Sequence, residues 1–500
     1  MSAVVDAVKN HSPFPFQPDH FTLIFMMART LSLATLLVAT STLACAQEPP
    51  AYVPPAFVTS GSPEFDAWRT RFAFRAVQVE KKDRAIVEAT LANIGPNPDV
   101  KRLNEAQPEF TRPVWAYIAS AVSPARISQG QTLLAQYRDR LLGMSTAIGV
   151  PLEYAIAIWG LESGYGSNKG ANDVVRSLAS LAYTGRRTAL GESELLAVFD
   201  ILARGDATRP ALVGSWAGAM GHTQFMPSSF LSRAVDGDND GKRDIWNNPV
   251  DALASTLNYL SRAGWKGSEP WGFEATAPVG FDWSLADGTM RSVEFWKLAG
   301  VKRVGGRSLN DLPQANAMRL LAPGGAGGAV FLVGGNFDAI RSYNASDSYA
   351  LSIALLGDQI AGRGAMPTRW PVDNPPVGRG PATEMQTLLL GLGYQIGTPD
   401  GQIGPRSRAA LQAFQKSQNL LADGYPSANA LAALRVAAAR AGVTYAAPIP
   451  GAPVAVTPSL GTSAVPQNAV PQRTPARIVP LPPSRIDPNY KGPAPVKMKW

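Results

Sequence analysis

The sequence predicts a mainly helical (α+β) fold followed by a second, much smaller helical unit, and three observations carry this reading. From Pro63 to roughly Leu356 the chain is dense in three- and four-residue apolar spacing and in tryptophan. No long linker interrupts it, so it reads as one large domain. Within it, Ala329 to Val333 is a short apolar run of strand length. A Pro/Gly-rich stretch from Gly364 to Pro381 then separates a compact segment running from about Ala382 to Arg440. Five hundred residues also exceed what a single hydrophobic core usually supports.

At the N-terminus, Met27-Ala28-Arg29-Thr30 leads into an apolar run from Leu31 to Leu43 and then Ala44-Cys45-Ala46-Gln47. A basic residue, an apolar core and an A-x-A ending form a secretory signal, too short to span a membrane. Residues 1–47 are therefore read as dispensable, with Met26 or Met27 as an alternative start and a periplasmic destination. Cys45 is the only cysteine, which excludes intrachain disulfides and cysteine-ligated zinc. It also leaves a second reading open, in which Cys45 is the acylated first residue of an outer-membrane lipoprotein. Thr42, where such signals usually carry leucine, speaks against it. Residues 48–62 form a Pro-rich spacer. The boundaries that follow are 63–362 for the large domain, 363–381 for the linker, 382–440 for the small domain and 441–500 for a Pro-rich tail that cannot bury a core.

Inside the large domain, Pro151 to Glu162 reads as a helix with Pro151 at its first position. Gly164-Tyr165-Gly166 breaks it, leaving Glu162 in the last turn beside a tight corner. Asp173 reads as the cap of the next helix, Val174 to Ala182. Gly324 to Gly328 lacks the Gly-Lys-Ser/Thr ending of a phosphate loop, so it reads as a flexible turn and not as a nucleotide site.

Two segments go beyond patterning. The first is Gly160-Leu161-Glu162-Ser163-Gly164-Tyr165-Gly166, and the second runs from Ser215-Trp216-Ala217-Gly218 through His222-Thr223-Gln224-Phe225 to Met226-Pro227-Ser228. Together with Arg341-Ser342-Tyr343-Asn344 and Tyr349, they resemble the signature of the membrane-bound lytic transglycosylase B family. The resemblance covers most of residues 63 to 360. It implies a lysozyme-like fold, mainly helical with a small β element and a deep sugar-binding cleft, in a lytic murein transglycosylase.

The residues are consistent with that chemistry. Glycosidases usually use two carboxylates to break a glycosidic bond. Near Glu162 the sequence offers no convincing second one. Asp173 has a capping role, and Glu192 and Glu194 look like helix surface. A single acid suffices if the substrate supplies the nucleophile. The resemblance implies that Glu162 protonates the bond between N-acetylmuramic acid and N-acetylglucosamine. It then deprotonates the muramic acid's own 6-hydroxyl, closing a 1,6-anhydro ring, with the N-acetyl group stabilising the cation between the steps. Donating a proton at neutral pH needs a carboxyl pKa raised toward about 6–7 by apolar walls, for which Trp159, Tyr165 and Phe225 are candidates. Taken alone, Glu162 would be a helix-end surface glutamate.

By the same resemblance Ser215, Gln224 and Phe225 line the cleft around the cleaved bond, and Tyr259, Asn344 and Tyr349 form its far wall. Arg187, with Arg186, lies near the peptide-bearing side of the substrate. Each has a plainer reading: a helix-start polar residue for Gln224, core packing for the tyrosines and an exposed basic pair for the arginines. His222 is assigned no proton transfer, because local packing explains it equally well.

A calcium-like loop follows at Asp236-Gly237-Asp238-Asn239-Asp240-Gly241. Asp236, Asp238 and Asp240 would supply carboxylates and Lys242 its carbonyl. The twelfth position is Asn247, so the usual closing glutamate is missing. Family members close a variant loop with a later aspartate, and Asp251 could serve. A structural calcium is thus expected and no catalytic cofactor. An Asp/Asn/Gly-rich turn without an ion is the alternative.

The small domain carries Met385-Gln386, Leu392-Gly393-Tyr394, Asp400-Gly401-Gln402-Ile403-Gly404-Pro405, Leu411-Gln412-Ala413-Phe414-Gln415 and Asp423-Gly424. It resembles the peptidoglycan-binding domain 1 family, a three-helix module that would tether the enzyme to the wall. Leu388, Leu392, Leu411 and Phe414 are its expected core.

Peptidoglycan glycan strands are therefore the expected partner, of a chain read as a monomer. A net charge of +8 suits an anionic polymer, and the lack of any lysine- or arginine-rich run argues against nucleic acid. A hydrolytic muramidase on the same fold and a non-catalytic wall-binding scaffold are the alternatives.

Overall fold

The computed structural model describes residues 51–106, 112–185, 187–305, 308–313, 316–364, 366–367 and 369–443. The signal stretch with Cys45, Arg186 and the tail from residue 444 lie outside the described residues.

The chain is mainly helical. Helices α1 (Pro63–Gln78), α2 (Arg84–Leu91), α3 (Pro98–Ala106), α4 (Val114–Ala121), α5 (Pro124–Ile148) and α6 (Leu152–Ser163) come first. A short ladder of β1 (Asn172–Asp173) with β2 (Val213–Gly214) brackets α7 (Val174–Tyr183) and α8 (Thr188–Ala203). Then come α9 (Pro227–Arg233) and α10 (Pro249–Arg262). Five further strands form one antiparallel sheet in the order β4-β6-β7-β3-β5. They are β3 (Gly272–Thr276), β4 (Arg291–Ser292), β5 (Lys302–Arg303), β6 (Ala317–Leu321) and β7 (Val330–Val333), with α11 (Val293–Leu298) after β4. The expected strand at Ala329 to Val333 is β7. Helices α12 (Gly335–Arg341) and α13 (Asp347–Ile360) return to the helical core. The last three, α14 (Arg379–Gly391), α15 (Pro405–Ser417) and α16 (Ala428–Arg440), form the small bundle.

Helix starts follow capping chemistry. Ser62, Asp83, Asp173 and Ser346 each accept from an amide in the first turn of the helix they precede, which satisfies one of its orphan donors. Asp173 thus has the capping role read from sequence. Pro151, expected at the first helical position, stands at the N-cap of α6 instead. Lacking an N–H, it loses no hydrogen bond in either place.

Helix α6 is apolar nearly all round, which is the pattern of a helix enclosed on every side. Every residue from Leu152 to Leu161 is buried, among α4, α5, α10 and α13. Strand β7 is enclosed as well. Its alternate residues serve two cores: Phe331 and Val333 face the helical core, while Val330 and Leu332 face a smaller one built on Trp296. The sheet is thereby clamped to the helices, each fully buried aliphatic or aromatic side chain contributing about 1.5–3 kcal/mol.

In the small bundle Leu388, Leu411 and Phe414 are buried with Met385, Leu431 and Leu434, whereas Leu392 is only partly covered. Two Asp-Gly turns close the bundle by the same device. The Gln386 amide donates to Asp400 Oδ1 at 3.0 Å, and its Oε1 accepts from Gly401 N at 2.7 Å. The Gln415 amide donates to Asp423 Oδ1 at 3.0 Å, and its Oε1 accepts from Gly424 N at 2.8 Å.

Candidate active site

The last turn of α6 ends in an unusual corner. Gly164, Tyr165 and Gly166 all adopt left-handed backbone angles, with φ of 58°, 60° and 85°. This corner stops the buried helix one residue after Glu162 and turns the chain away. Glu162 is accordingly the one half-buried side chain on a helix whose other side chains are all buried.

The corner is locked to the second motif. Ser163 Oγ donates to the carbonyl of His222 at 2.5 Å and accepts from Gly166 N at 2.9 Å. Trp159 Nε1 donates to His222 Nδ1 at 3.1 Å, and the two rings meet edge to face. Burial, with the Lys169 ammonium nearby, pushes the His222 imidazole down to about 4. It is a neutral structural acceptor, in agreement with the absence of any assigned proton transfer.

The second motif is a tight backbone loop. Met220 and Phe225 exchange both backbone hydrogen bonds, at 2.8 and 2.9 Å, and Ser215 N donates to Ala219 O at 2.8 Å. Ser215 is buried, its Oγ accepting from the amides of Ala217 and Ala219. Gln224 has φ of 55°, and its amide nitrogen donates to the carbonyls of Lys169 and Gly221 at 3.1 and 2.9 Å. This fixes the orientation of its carbonyl end.

The opposite wall comes from the C-terminal part of the large domain. Tyr349, in the first turn of α13, donates its hydroxyl to Glu162 Oε1 at 2.7 Å. Tyr343 donates to the Thr223 carbonyl at 2.5 Å, and Tyr259 to the Ser342 carbonyl at 2.8 Å. Phe225, Tyr259 and Tyr343 form a triangle of rings with centroids 4.7 to 5.9 Å apart. Phe225 is the most enclosed, at 1% exposure. Burial, and the Glu162 carboxylate after it, hold the Tyr343 and Tyr349 hydroxyls well above the usual tyrosine range. Both are therefore permanent donors. Asn344 lies between these two tyrosines, its carbonyl accepting from Ser346 N at 2.7 Å.

Thus Glu162 meets Tyr349, while Phe225 and Tyr259 pack with Tyr343, whose hydroxyl feels the Glu162 charge. Ser215 and Gln224 shape the loop that carries Phe225. Trp159 and Tyr165, expected as walls, are buried behind the corner and pack edge to face. Arg187 stands half-buried at the boundary before α8, its carbonyl accepting from Gly191. The sequence reading assigned no role to Tyr343 or Tyr117, although Tyr343 sits inside the quoted Arg341–Asn344 segment. Tyr117 lines a small pocket with Arg126, Leu161 and Tyr349. Only its proximity in the fold reveals it.

The other acidic residues have their own work. Glu192 and Glu194, read as helix surface, are both engaged across the fold. Glu192 accepts from Trp68 Nε1 and from the Arg75 guanidinium. Glu194 is 5% exposed and accepts from Ser228 N and Oγ at 2.8 and 2.7 Å, so it braces the end of the second motif. Asp173 pairs with Arg209 at 2.7 Å.

A second cluster stands apart from the tyrosines. Carboxylate oxygens of Asp236, Asp238, Asp240 and Asp251 lie within 4.8 Å of one another. Asp251 is fully buried at the start of α10 and accepts from Gly237 N and Asp244 N. Asn239, at the tip, has φ of 62°. Burial, with Asp238 and Asp236 nearby, raises the Asp251 carboxyl above its ordinary range.

Residues 64–358 match the family model of the transglycosylase SLT domain, and residues 379–434 that of a peptidoglycan binding domain. Membrane-bound lytic murein transglycosylase B of Escherichia coli is 33% identical over 247 residues, which span 49% of this chain and 66% of that protein. SltB3 from Pseudomonas aeruginosa, solved in complex with NAG-anhNAM-pentapeptide, is 43% identical with a TM-score of 0.71, covering 75% of this chain and 100% of its own. A lytic transglycosylase from Escherichia coli, solved in complex with calcium, is 27% identical with a TM-score of 0.52. That match covers 62% of this chain and 96% of its own.

Proposed function

Because the chain belongs to the transglycosylase SLT domain family, we propose that it is a lytic murein transglycosylase that cleaves peptidoglycan glycan strands. The observation that carries the assignment of the acid is the placement of Glu162. A single half-buried carboxyl closes a buried helix and meets a tyrosine hydroxyl at 2.7 Å.

In this reading Glu162 donates its proton to the oxygen between N-acetylmuramic acid C1 and N-acetylglucosamine O4. The C1–O4 bond breaks and the N-acetylglucosamine leaves as a neutral alcohol. The Glu162 carboxylate then takes the proton of the muramic 6-hydroxyl as O6 bonds to C1. The acid is regenerated and no water is consumed. Tyr349 holds the carboxylate between the two steps, and the Phe225–Tyr259–Tyr343 group offers aromatic surface to the sugars. Ser215, Gln224, Asn344 and Arg187 are proposed to contact the substrate along the same cleft.

Asp236, Asp238, Asp240, Asp251 and the Lys242 carbonyl are proposed to hold a structural calcium. Opposite ligands of a calcium ion with bonds of about 2.3–2.6 Å stand roughly 4.6–5.2 Å apart. The 4.8 Å spread of the four carboxylates fits that span. Residues 63–362 are proposed as the catalytic unit and 382–440 as the wall-binding one, in a protein exported to the periplasm.

The test is mass analysis of soluble products from murein sacculi, with wild type and Glu162→Gln. Anhydromuramic ends from wild type alone support the reading. Reducing ends would assign a hydrolytic muramidase, and binding without release would assign a scaffold.

A further inference from the structure

We infer that the glycine-rich turn Gly324–Gly328 is a docking seat that fixes the small bundle against the large domain, so that substrate is gripped in one register by both units. The inference rests on the proposed function for its consequence, though not for its geometry.

The turn is pinched from two sides. On one side it meets the linker: a Cβ at Gly324 would stand 3.0 Å from Pro371 Cδ, and one at Gly327 would stand 3.7 Å from Pro371 Cβ. On the other side it meets the bundle: a Cβ at Gly325 would stand 2.6 Å from both Asp423 Oδ2 and Tyr425 Cβ. Gly325 also has φ of 64°, which disfavours any side chain. Gly325 is therefore required by close approach, Gly324 is tightly placed against the linker, and the turn read as flexible is held between two packed neighbours.

One carboxylate works in both directions. Asp423 Oδ1 accepts from Gln415 and from Tyr425 N inside the bundle, while Oδ2 accepts from Ala326 N across the junction at 3.0 Å. The sister turn shows that the outward bond is not needed to fold the inner one. Asp400 makes the same clamp with Gln386 and Gln402 N, and its side chain is exposed. A second contact supports the seat, as Gln412 Nε2 donates to the Trp283 carbonyl at 3.0 Å.

The seat also sets the bundle toward the start of α13. Arg408, on α15, feels the charges of Asp347 and Asp423. Asp347 is the first residue of α13 and pairs with Arg341 at 2.7 Å. The bundle's guanidinium therefore lies toward the start of α13, the helix that carries Tyr349. Gly325 and Asp423 are positioning residues. They act on the reaction by setting where the second unit holds the strand.

The experiment compares full-length wild type, Gly325→Ala, Asp423→Asn and Asp400→Asn. Asparagine at 423 keeps the inner acceptor and points an N–H at the Ala326 N–H, so it breaks the seat and spares the bundle. Solution scattering and protease cleavage between residues 364 and 378 read docking without reference to activity. Turnover of sacculi and of a short soluble glycan reads positioning. For Gly325→Ala and Asp423→Asn the expected results are a larger radius of gyration, several-fold faster linker cleavage, and a several-fold rise in KM on sacculi with unchanged kcat on the short glycan. Asp400→Asn should match wild type throughout. Equal scattering and cleavage for Asp423→Asn and wild type would overturn the seat. Lost docking with unchanged KM would overturn the shared grip. If wild type released no glycan at all, the functional reading would fail while the docking measurements still decided the seat.

Discussion

Trp159 Nε1 donates to His222 Nδ1 at 3.1 Å, and this bond fixes the imidazole tautomer. With Nδ1 accepting, the ring proton sits on Nε2 and the ring is neutral. The native state thus binds a proton at His222 only near pH 4, against about 6.5 for the unfolded chain. Between those values the unfolded state holds more protons, so stability rises with pH through the window and is lost as pH falls from about 6.5 toward 4. The full effect is on the order of 3 kcal/mol. Thermal melts from pH 4 to 7 should show this slope in wild type, and His222→Asn should flatten it.

Gly166 is the most constrained residue of the corner. A Cβ there would stand 2.5 Å from His222 Nδ1, on a backbone with φ of 85°. Gly166→Ala is expected to cost about 2–4 kcal/mol and to displace the end of α6. Denaturant unfolding checks the first, and kcat/KM of the residual folded enzyme the second. A near-neutral result on both would remove the corner's role in placing Glu162.

Tyr349→Phe deletes the hydroxyl that meets Glu162 and leaves the ring's packing in place. Losing a hydrogen bond to a charged group costs about 1.5–3 kcal/mol, so kcat/KM should fall roughly 10- to 150-fold. The melting temperature should move little.

Much of this was legible in the sequence because local chemistry dictated it. Asp173 caps α7 as a capping residue in that place should, and β7 lies where a short apolar run was found. The calcium-like loop and the two Asp-Gly turns are likewise local patterns. What was not legible depended on distant partners. Glu194 has the composition of a surface helix, and only the arrival of Ser228 shows why it is buried. Tyr343 earns its place through Thr223, and the Gly324–Gly328 turn through a bundle roughly a hundred positions later. Leu392 had the right spacing for the bundle core, yet it follows the end of α14 and remains partly exposed.

Calcium should stabilise the protein without taking part in turnover. An ion held at 100 times its dissociation constant adds about 2.7 kcal/mol. Chelation should lower the melting temperature of wild type, and added calcium should restore it. Asp251→Asn should abolish that response while kcat of the folded enzyme stays near wild type. A melting temperature indifferent to calcium would leave the four aspartates as a turn without an ion.

Phe414 is 1% exposed at the centre of the bundle. Phe414→Ala is expected to cost about 3–5 kcal/mol, enough to unfold so small a unit. Cleavage of short soluble glycans should persist, since Glu162 and Tyr349 belong to another core. Binding to insoluble sacculi should weaken.

The bond between Glu162 and Tyr349 joins residues 187 positions apart, and that separation bears on when the enzyme can act. A chain made at about 5–20 residues per second needs roughly 10–40 s to supply the second residue after the first. During that interval the acid exists without the hydroxyl that orients it, and without the α13 wall. A wall-degrading enzyme whose site joins distant parts of its domain is inert while incomplete. Any break in the chain before Tyr349 leaves a fragment that cannot build the site.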